Sequence, residues 1–395
     1  MISRRMQKMV AANSVIRAMF EEGLKLAKEY GRENVYDFSL GNPNVPAPEA
    51  LKKAAIKILQ EEDPVKVHGY MPNAGFPTVR EKIALSINKR FATDFSASNI
   101  IMTVGAAGGL NIALKALLNP GDEVITFAPF FGEYKNYVAN FDGELVVVPP
   151  NTETFQPDLS AFRELIRPQT KAVIINSPNN PTGVVYSEET IKRLSAILED
   201  KQKEFATSIY LISDEPYREL VYGGATVPYL TKYYRNTLVG YSYSKSLSIP
   251  GERLGYVVVP SEVDDFEQLF SAMTVANRIL GFVNSPSLMQ LAVAECLEEK
   301  TDIAYYDRNR ETLYLGLTKL GFSCVKPEGA FYLFMKTPTE DDSAFAQAAK
   351  KFNILLVPGS AFGCPGFVRI AYCVAYETIV NSLPKFAELA KLYEL

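Results

Sequence analysis

A single lysine stands among small hydroxyl residues in Ser242-Tyr243-Ser244-Lys245-Ser246-Leu247-Ser248, and Arg253 follows eight positions later, just ahead of a β-type run, Leu254–Val259. A lysine amine is a useful nucleophile near neutral pH when its pKa is depressed or a carbonyl partner captures it. Hydroxyls and a guanidinium, with its planar fork of donors, are what a phosphate needs. A molecule carrying both an aldehyde and a phosphate uses both halves of this segment, and pyridoxal phosphate is such a molecule. A polar surface loop with an ordinary lysine fits the same residues, so the segment alone leaves the choice open.

Four further segments set small or polar residues directly after apolar runs. In Thr103-Val104-Gly105-Ala106-Ala107-Gly108-Gly109-Leu110 a strand-like run enters a small-residue turn where a helix begins. Free N–H groups at a helix start attract anions, and small side chains let a phosphate come close. Ala107 stands where a GxGxxG fingerprint needs its second glycine, and a tight turn without ligand also accounts for the pattern. Phe131, in Ala128-Pro129-Phe130-Phe131-Gly132, can stack on a heteroaromatic ring or serve as core. Asn176-Ser177-Pro178-Asn179-Asn180-Pro181-Thr182-Gly183 places amides at the carboxyl end of a strand, where open α/β sheets bind ligands. Ser213-Asp214-Glu215-Pro216-Tyr217 ends another apolar run. A carboxylate there can keep a pyridine nitrogen protonated, which makes the ring an electron sink, or it can cap the turn.

These segments need elements to hold them. Strands are predicted at Ile100–Val104, Glu123–Phe127, Glu144–Val148, Lys171–Asn176, Ser208–Ser213, Thr237–Tyr241 and Leu254–Val259. Most are separated by room for a helix, which predicts an α/β domain with a mainly parallel sheet. The short gap between the last two allows an antiparallel pairing. A helix is predicted over Ser14–Tyr30, with Val15, Ile16, Met19, Leu24 and Leu26 on related turns, and Gly41–Pro48 breaks regular structure. After Pro260 the pattern turns helical, over Asp264–Ala276 and then Pro286–Glu299 continuing towards Leu320. It continues with strand-like Phe322–Val325, hairpin-like Ala330–Met335, a helix over Ser343–Lys351, strands Ile354–Val357 and Phe367–Tyr372, and a final helix. The expected division is a large domain over 46–285 and a smaller α+β domain over 286–395, linked by a long helix and completed by residues 1–45.

Composition narrows the classes. A chain of 395 residues, 47% hydrophobic and 22% charged, suits a globular protein of two domains. A net charge of −4 without a long basic run argues against a nucleic-acid partner. Cys296, Cys324, Cys364 and Cys373 form no CxxC pair, so neither a structural zinc nor a redox dithiol is expected, and they suit the reduced thiols of a cytoplasmic protein. The N-terminal residues lack the apolar core of a signal peptide, and no run approaches the ~20 apolar residues that span a membrane. His68 is the sole histidine, and nothing near it in sequence supplies a nucleophile or a metal partner.

In chain order, the five segments resemble the class I and II aminotransferases, which are fold-type-I pyridoxal-phosphate enzymes, over nearly the whole chain from Gly41 to Arg369. Asn-Asn-Pro-Thr-Gly at 179–183, Asp-Glu-Pro-Tyr at 214–217 and Ser-x-Ser-Lys with its later arginine at 242–253 carry the likeness. The resemblance implies a mainly parallel seven-stranded sheet flanked by helices, plus a smaller α+β domain. It implies that Lys245 binds the cofactor aldehyde covalently and shuttles the substrate Cα proton. Asp214 pairs with the ring nitrogen, Tyr217 and Asn180 with the ring 3-oxygen, and Phe131 stacks where relatives carry Tyr or Trp. Ser242, Ser244, Arg253 and the Gly105-Ala106-Ala107 turn hold the phosphate. Arg369 clamps the substrate α-carboxylate with help from Gly41 and Asn180. Tyr70 reaches the phosphate of a neighbouring subunit, which makes the enzyme a homodimer with shared sites. The implied activity is ping-pong transfer of an amino group from an L-amino acid to a 2-oxo acid. Aspartate with 2-oxoglutarate leads several candidates, although the lysine that some aspartate-type relatives place after the Gly105 turn is replaced by alanine here. Arg278 lies close to where some relatives present a distal-carboxylate arginine from the partner, and a helix-surface role suits it as well. A carbon–sulfur β-lyase shares the same cofactor residues. A ligand-sensing regulator of this fold usually adds a DNA-binding domain, for which there is no room before Ser39.

Overall fold

The computed structural model describes residues 2–11 and 15–395. Ser14, the expected start of the first helix, lies outside the described residues, as do the side chains of Val15 and Ile16. The strands are β1 Tyr36–Asp37, β2 Ile100–Thr103, β3 Glu123–Phe127, β4 Glu144–Val148, β5 Thr170–Asn176, β6 Tyr210–Asp214, β7 Thr237–Ser242, β8 Gly255–Val258, β9 Tyr332–Lys336, β10 Ile354–Leu355, β11 Val357–Pro358 and β12 Phe367–Ala371. One seven-stranded sheet runs in the order β2-β8-β7-β6-β5-β3-β4. The pairings β4–β3, β3–β5, β5–β6 and β6–β7 are parallel. β8 is antiparallel to both β7 and β2, because residues 243–254 hold the Lys245 turn in place of a crossover helix.

Alternation along the strands loads both faces of the sheet. Ile174 and Ile212 pack with helices Gly105–Leu117 and Phe266–Ile279 on one face. Val173, Ile175 and Leu211 pack with Glu188–Phe205 on the other, where Val239, Tyr241 and Tyr256 meet Pro77–Phe91. Burial on both sides is why these strands read as near-continuous apolar runs.

A second core gathers Phe38, Tyr306, Phe331, Phe345, Ile354, Ile370 and Phe386 around an antiparallel sheet ordered β11-β12-β9 and the parallel pair β1–β10. Several expectations fail in this region. Phe322–Val325 forms no strand; Cys324 makes an isolated bridge to Met335. Ile354–Val357 splits at Leu356, with β10 pairing to β1 and β11 to β12, so that one short run serves two sheets. The expected hairpin at Ala330–Met335 is the edge strand β9. The continuous helix towards Leu320 is two helices, Ser287–Ala294 and Ile303–Lys319. Asp302 caps the second helix by accepting from the Tyr305 N–H at 3.0 Å, and the Thr301 N–H donates to the Ser246 carbonyl at 3.0 Å, which pulls the connection out of helical geometry.

Among the described residues no helix is long and apolar enough to cross a membrane. In the same residues no group of three or more His, Cys, Asp or Glu side chains could hold a metal ion.

Candidate active site

The carboxyl ends of β5, β6 and β7 open into a cleft that Asn180, Asp214, Tyr217, Ser242, Ser244, Lys245, Arg253 and Arg369 share with Gly41, Ala106, Ala107 and Phe131. Parallel strands deliver the first group. Asn176 and Asp214 are register partners at the ends of β5 and β6, and the Asn176 amide donates to the Asp214 carbonyl at 2.8 Å while its Oδ1 accepts from the Asn180 N–H at 2.7 Å. The Asn-rich turn is thereby tied to the strand carrying the carboxylate.

Asp214 is fully buried. Tyr134 donates to its Oδ2 at 2.5 Å, and its Oδ1 has no partner. Burial raises its pKa to about 7, against the lowering effect of the Tyr134 hydrogen bond. Lys245 sits in a four-residue helical turn, Tyr243–Ser246, whose N-cap is Ser242, and its Nζ donates to the Gly41 carbonyl at 2.7 Å. Burial lowers the Lys245 pKa to about 8; Cys373 opposes the shift, and Arg253 and Arg369 add to it. A fraction of the amine is therefore neutral near physiological pH, as a nucleophile requires.

At the phosphate end, helix Gly105–Leu117 begins without a side-chain cap, since Val104 occupies the N-cap position. Gly105 has φ +75°, and a Cβ there would lie 2.9 Å from Arg253 Nη2. The Arg253 guanidinium donates to the Pro250 and Val104 carbonyls at 3.0 and 3.3 Å. Ser242 Oγ and Ser244 Oγ are 2.8 Å apart. Two hydroxyls, a guanidinium and an uncapped helix start fit a phosphate.

At the other end lies Arg369 on β12, 2% exposed. It donates to Asn180 Oδ1 at 3.1 Å and to the Ser39 carbonyl at 2.5 Å, and packs over Tyr332 at 4.6 Å. Its Nε has no partner. Among the described residues it forms no ion pair, so a buried cation faces the cleft without a counter-charge. Such a charge is costly unless an anion completes it. Orphaned Asp214 Oδ1, orphaned Arg369 Nε and the uncapped helix start together fit a zwitterion-binding site around pyridoxal phosphate: a ring nitrogen, a substrate carboxylate and a phosphate in turn.

Tyr332 and Tyr134 were not anticipated as site residues. The Tyr332 hydroxyl is 2.9 Å from that of Tyr217, and a Cβ on Gly41 would strike it. Tyr332 and Phe334 on β9 lie opposite Ala371 and Arg369 on β12, so strand alternation puts Tyr332 on the face of Arg369 once the register is known. Tyr134 falls one helical turn after Phe131, a spacing visible in the sequence. Two expected residues, Tyr70 and Arg278, lie away from this chain's cleft, as does His68, for which no site role was expected. Tyr70 is 95% exposed, and Arg278 and His68 are exposed as well. Arg278 belongs to the outward face of its helix, and none of the three lines the cleft.

The family model for aminotransferase class I and II matches residues 33–382. A protein of Aquifex aeolicus named as a probable aspartate/prephenate aminotransferase is 33% identical over 368 residues, covering 89% of each chain. The crystal structure of an amino transferase from Eubacterium rectale superimposes with a TM-score of 0.97 at 49% identity, covering 100% of this chain and 99% of that one. The aspartate aminotransferase of Thermus thermophilus with maleate superimposes with a TM-score of 0.87 at 30% identity, covering 98% and 99%.

Proposed function

This chain belongs to the class I and II aminotransferases and is a pyridoxal-phosphate enzyme, and on that premise we propose how its residues divide the work and which substrate it takes. It moves the amino group of an L-amino acid to a 2-oxo acid. Aspartate, with 2-oxoglutarate as acceptor, is the leading substrate, a choice supported by the names of several relatives. The observation that carries the reading is Arg369, a buried guanidinium without counter-charge in the cleft that holds Lys245.

Pyridoxal phosphate, when bound, supplies the aldehyde that takes up the amino group and the ring that accepts the electron pair of Cα. Lys245 Nζ would hold the aldehyde and serve as the base that carries a proton at the substrate Cα. Asp214 Oδ1 keeps the ring nitrogen protonated. Tyr217 and Asn180 donate to the ring 3-oxygen, and Phe131 covers one ring face. Ser242, Ser244, Arg253 and the Ala106 and Ala107 N–H groups bind the phosphate. Arg369, with Gly41 and Asn180, would hold and orient the substrate α-carboxylate. Tyr134 fixes the Asp214 carboxylate, and Tyr332 fixes Tyr217. The chain acts in the cytoplasm as a homodimer in which Tyr70 of the partner subunit completes the phosphate site.

Borohydride reduction of the cofactor-loaded protein followed by peptide mapping tests the assignment: the label is expected on Lys245, and a label on any other lysine overturns it. Lys245→Ala should lower turnover by about 10⁴-fold or more, the scale of a positioned proton carrier together with a covalent anchor. A half-reaction screen across amino acids, followed by absorbance, identifies the substrate. A stronger response to an aromatic or branched amino acid than to aspartate would replace the substrate and leave the chemistry standing.

A further inference from the structure

A second cavity lies on the opposite side of the Lys245 turn. Ser242, Ser244 and Lys245 face the cleft described above, whereas Tyr243, Ser246 and Leu247 line a separate space closed by helix Pro77–Phe91 and residues 296–300. One helical turn is thus the wall between two cavities. The Thr301 N–H donates to the Ser246 carbonyl at 3.0 Å, which fastens the far wall to that turn.

The polar groups inside are unevenly satisfied. Ser246 is 5% exposed, and its Oγ lies beside the Tyr241 hydroxyl, a contact too loose to satisfy it fully. Tyr241 and Tyr256 are register partners on β7 and β8, stacked at 4.9 Å, with Tyr243 edge-on to Tyr241 at 5.2 Å. Among the described residues neither the Tyr243 nor the Tyr256 hydroxyl finds a partner, although both side chains are buried. Glu219 is the acceptor at the mouth, and it is already engaged by Arg90 and by the Tyr241 hydroxyl at 3.3 Å. Arg90 bonds Glu219 through Nη2 alone, which leaves its other N–H groups for a further acceptor. Burial holds the phenols of Tyr243 and Tyr256 protonated, so each hydroxyl can donate a hydrogen bond, and the guanidinium can only donate.

Of these groups the Ser246 Oγ is a buried polar atom without a full partner, which is rare because it forfeits a hydrogen bond that water would have made, and the Tyr243 and Tyr256 hydroxyls open into the same cavity. Three hydroxyls and a guanidinium converging on one cavity call for a compact ligand rich in acceptors. The Arg90–Glu219 pair is neutral as a unit, and the rim carboxylates Glu298 and Glu299 are solvent-exposed. Glu298 is further paired with Lys89 at 3.3 Å, so solvent and counter-charge screen the rim carboxylates. We propose that this cavity is a second binding site, for a small carboxylate held by the Ser246, Tyr243 and Tyr256 hydroxyls and by Arg90, on the reverse side of the turn that carries Lys245.

Propionate is a suitable probe, followed with the holoenzyme by saturation-transfer NMR titration. Arg369→Lys holoenzyme should still bind propionate, since the second site is independent of Arg369. In that background Tyr256→Phe, which removes one hydroxyl and keeps the ring, should weaken binding at least about tenfold, as the loss of one hydrogen bond to a charged group does. Ser246→Ala provides the same test should Tyr256→Phe fold poorly. In crystals soaked with 3-bromopropionate, bromine anomalous signal is expected beside Tyr256 and Ser246. Loss of all propionate binding in Arg369→Lys, an affinity indifferent to both hydroxyl deletions, or bromine found only at Arg369 would each overturn the proposal.

Discussion

Asp214 and Arg369 are acidic and basic groups buried in one cleft, and among the described residues neither has a counter-charge. For Asp214 the consequence is a pH dependence with a definite sign. Its folded pKa, about 7, lies above the value near 3.9 of an unfolded aspartate. Between these values the unfolded chain ionises while the folded one holds its proton, so the cofactor-free protein loses stability as pH rises through the window. Denaturant midpoints of cofactor-free wild type relative to Asp214→Asn should therefore fall between about pH 4 and 7, by about 4 kcal/mol at most, and level off above. A flat difference would mean that Asp214 is ionised without the cofactor. For Arg369 the consequence is recognition. Arg369→Lys keeps the charge but loses the fork, and kcat/KM for amino acids should fall about 10–100-fold while amines without a carboxylate are little affected. Equal losses for both would assign Arg369 to fold integrity.

At the scale of elements, the site depends on how chain segments end. β5 and β6 stop together with Asn176 beside Asp214, while β7 pairs Gly240 with Asp214 and runs two residues further to Ser242. Helix Gly105–Leu117 starts at a residue with φ +75° whose missing side chain leaves room for Arg253. Gly105→Ala should strain the backbone by about 1–3 kcal/mol and push the guanidinium aside. The apparent Kd for pyridoxal phosphate, measured by fluorescence titration of the cofactor-free protein, should rise about tenfold or more; an unchanged Kd would remove the helix start from the phosphate site. The break between Ser287–Ala294 and Ile303–Lys319 was not legible in the sequence, because Leu288, Leu291, Val293, Leu297 and Ile303 keep an apolar rhythm across it. What ends the helix is a backbone bond to Ser246, fifty-five residues away, together with the Asp302 cap.

At the scale of the whole molecule, the exposed Tyr70 is the test of assembly. It stands 95% exposed on a single chain, an unusual position for an aromatic expected to serve a binding site. If Tyr70 of the partner subunit completes each site, mixing Tyr70→Phe protein with Lys245→Ala protein and allowing subunits to exchange should create heterodimers with one native site. Activity should then rise above the sum of the two unmixed samples. Simple additivity, or a fully active monomer in sedimentation, would confine each site to one chain.

Local chemistry is legible along the chain: a lysine in a hydroxyl-rich turn, an aspartate and an Asn-rich turn at strand ends, a small-residue helix start, and strand runs whose continuous apolarity announces a sheet buried on both faces. These are properties of adjacent residues, readable within a dozen positions. Tertiary structure decided which of those groups are left unsatisfied and which distant neighbours share their space. Lys245 meets a carbonyl 204 residues away and Arg369 one 330 residues away. Tyr332 joins the site through a register that no local pattern encodes, and the run at 354–357 serves two sheets because partners from opposite ends of the chain claim its two halves. Periodicity reports which face of an element is apolar; the partner of that face is set by packing of the whole chain, and so is the charge that a buried arginine lacks.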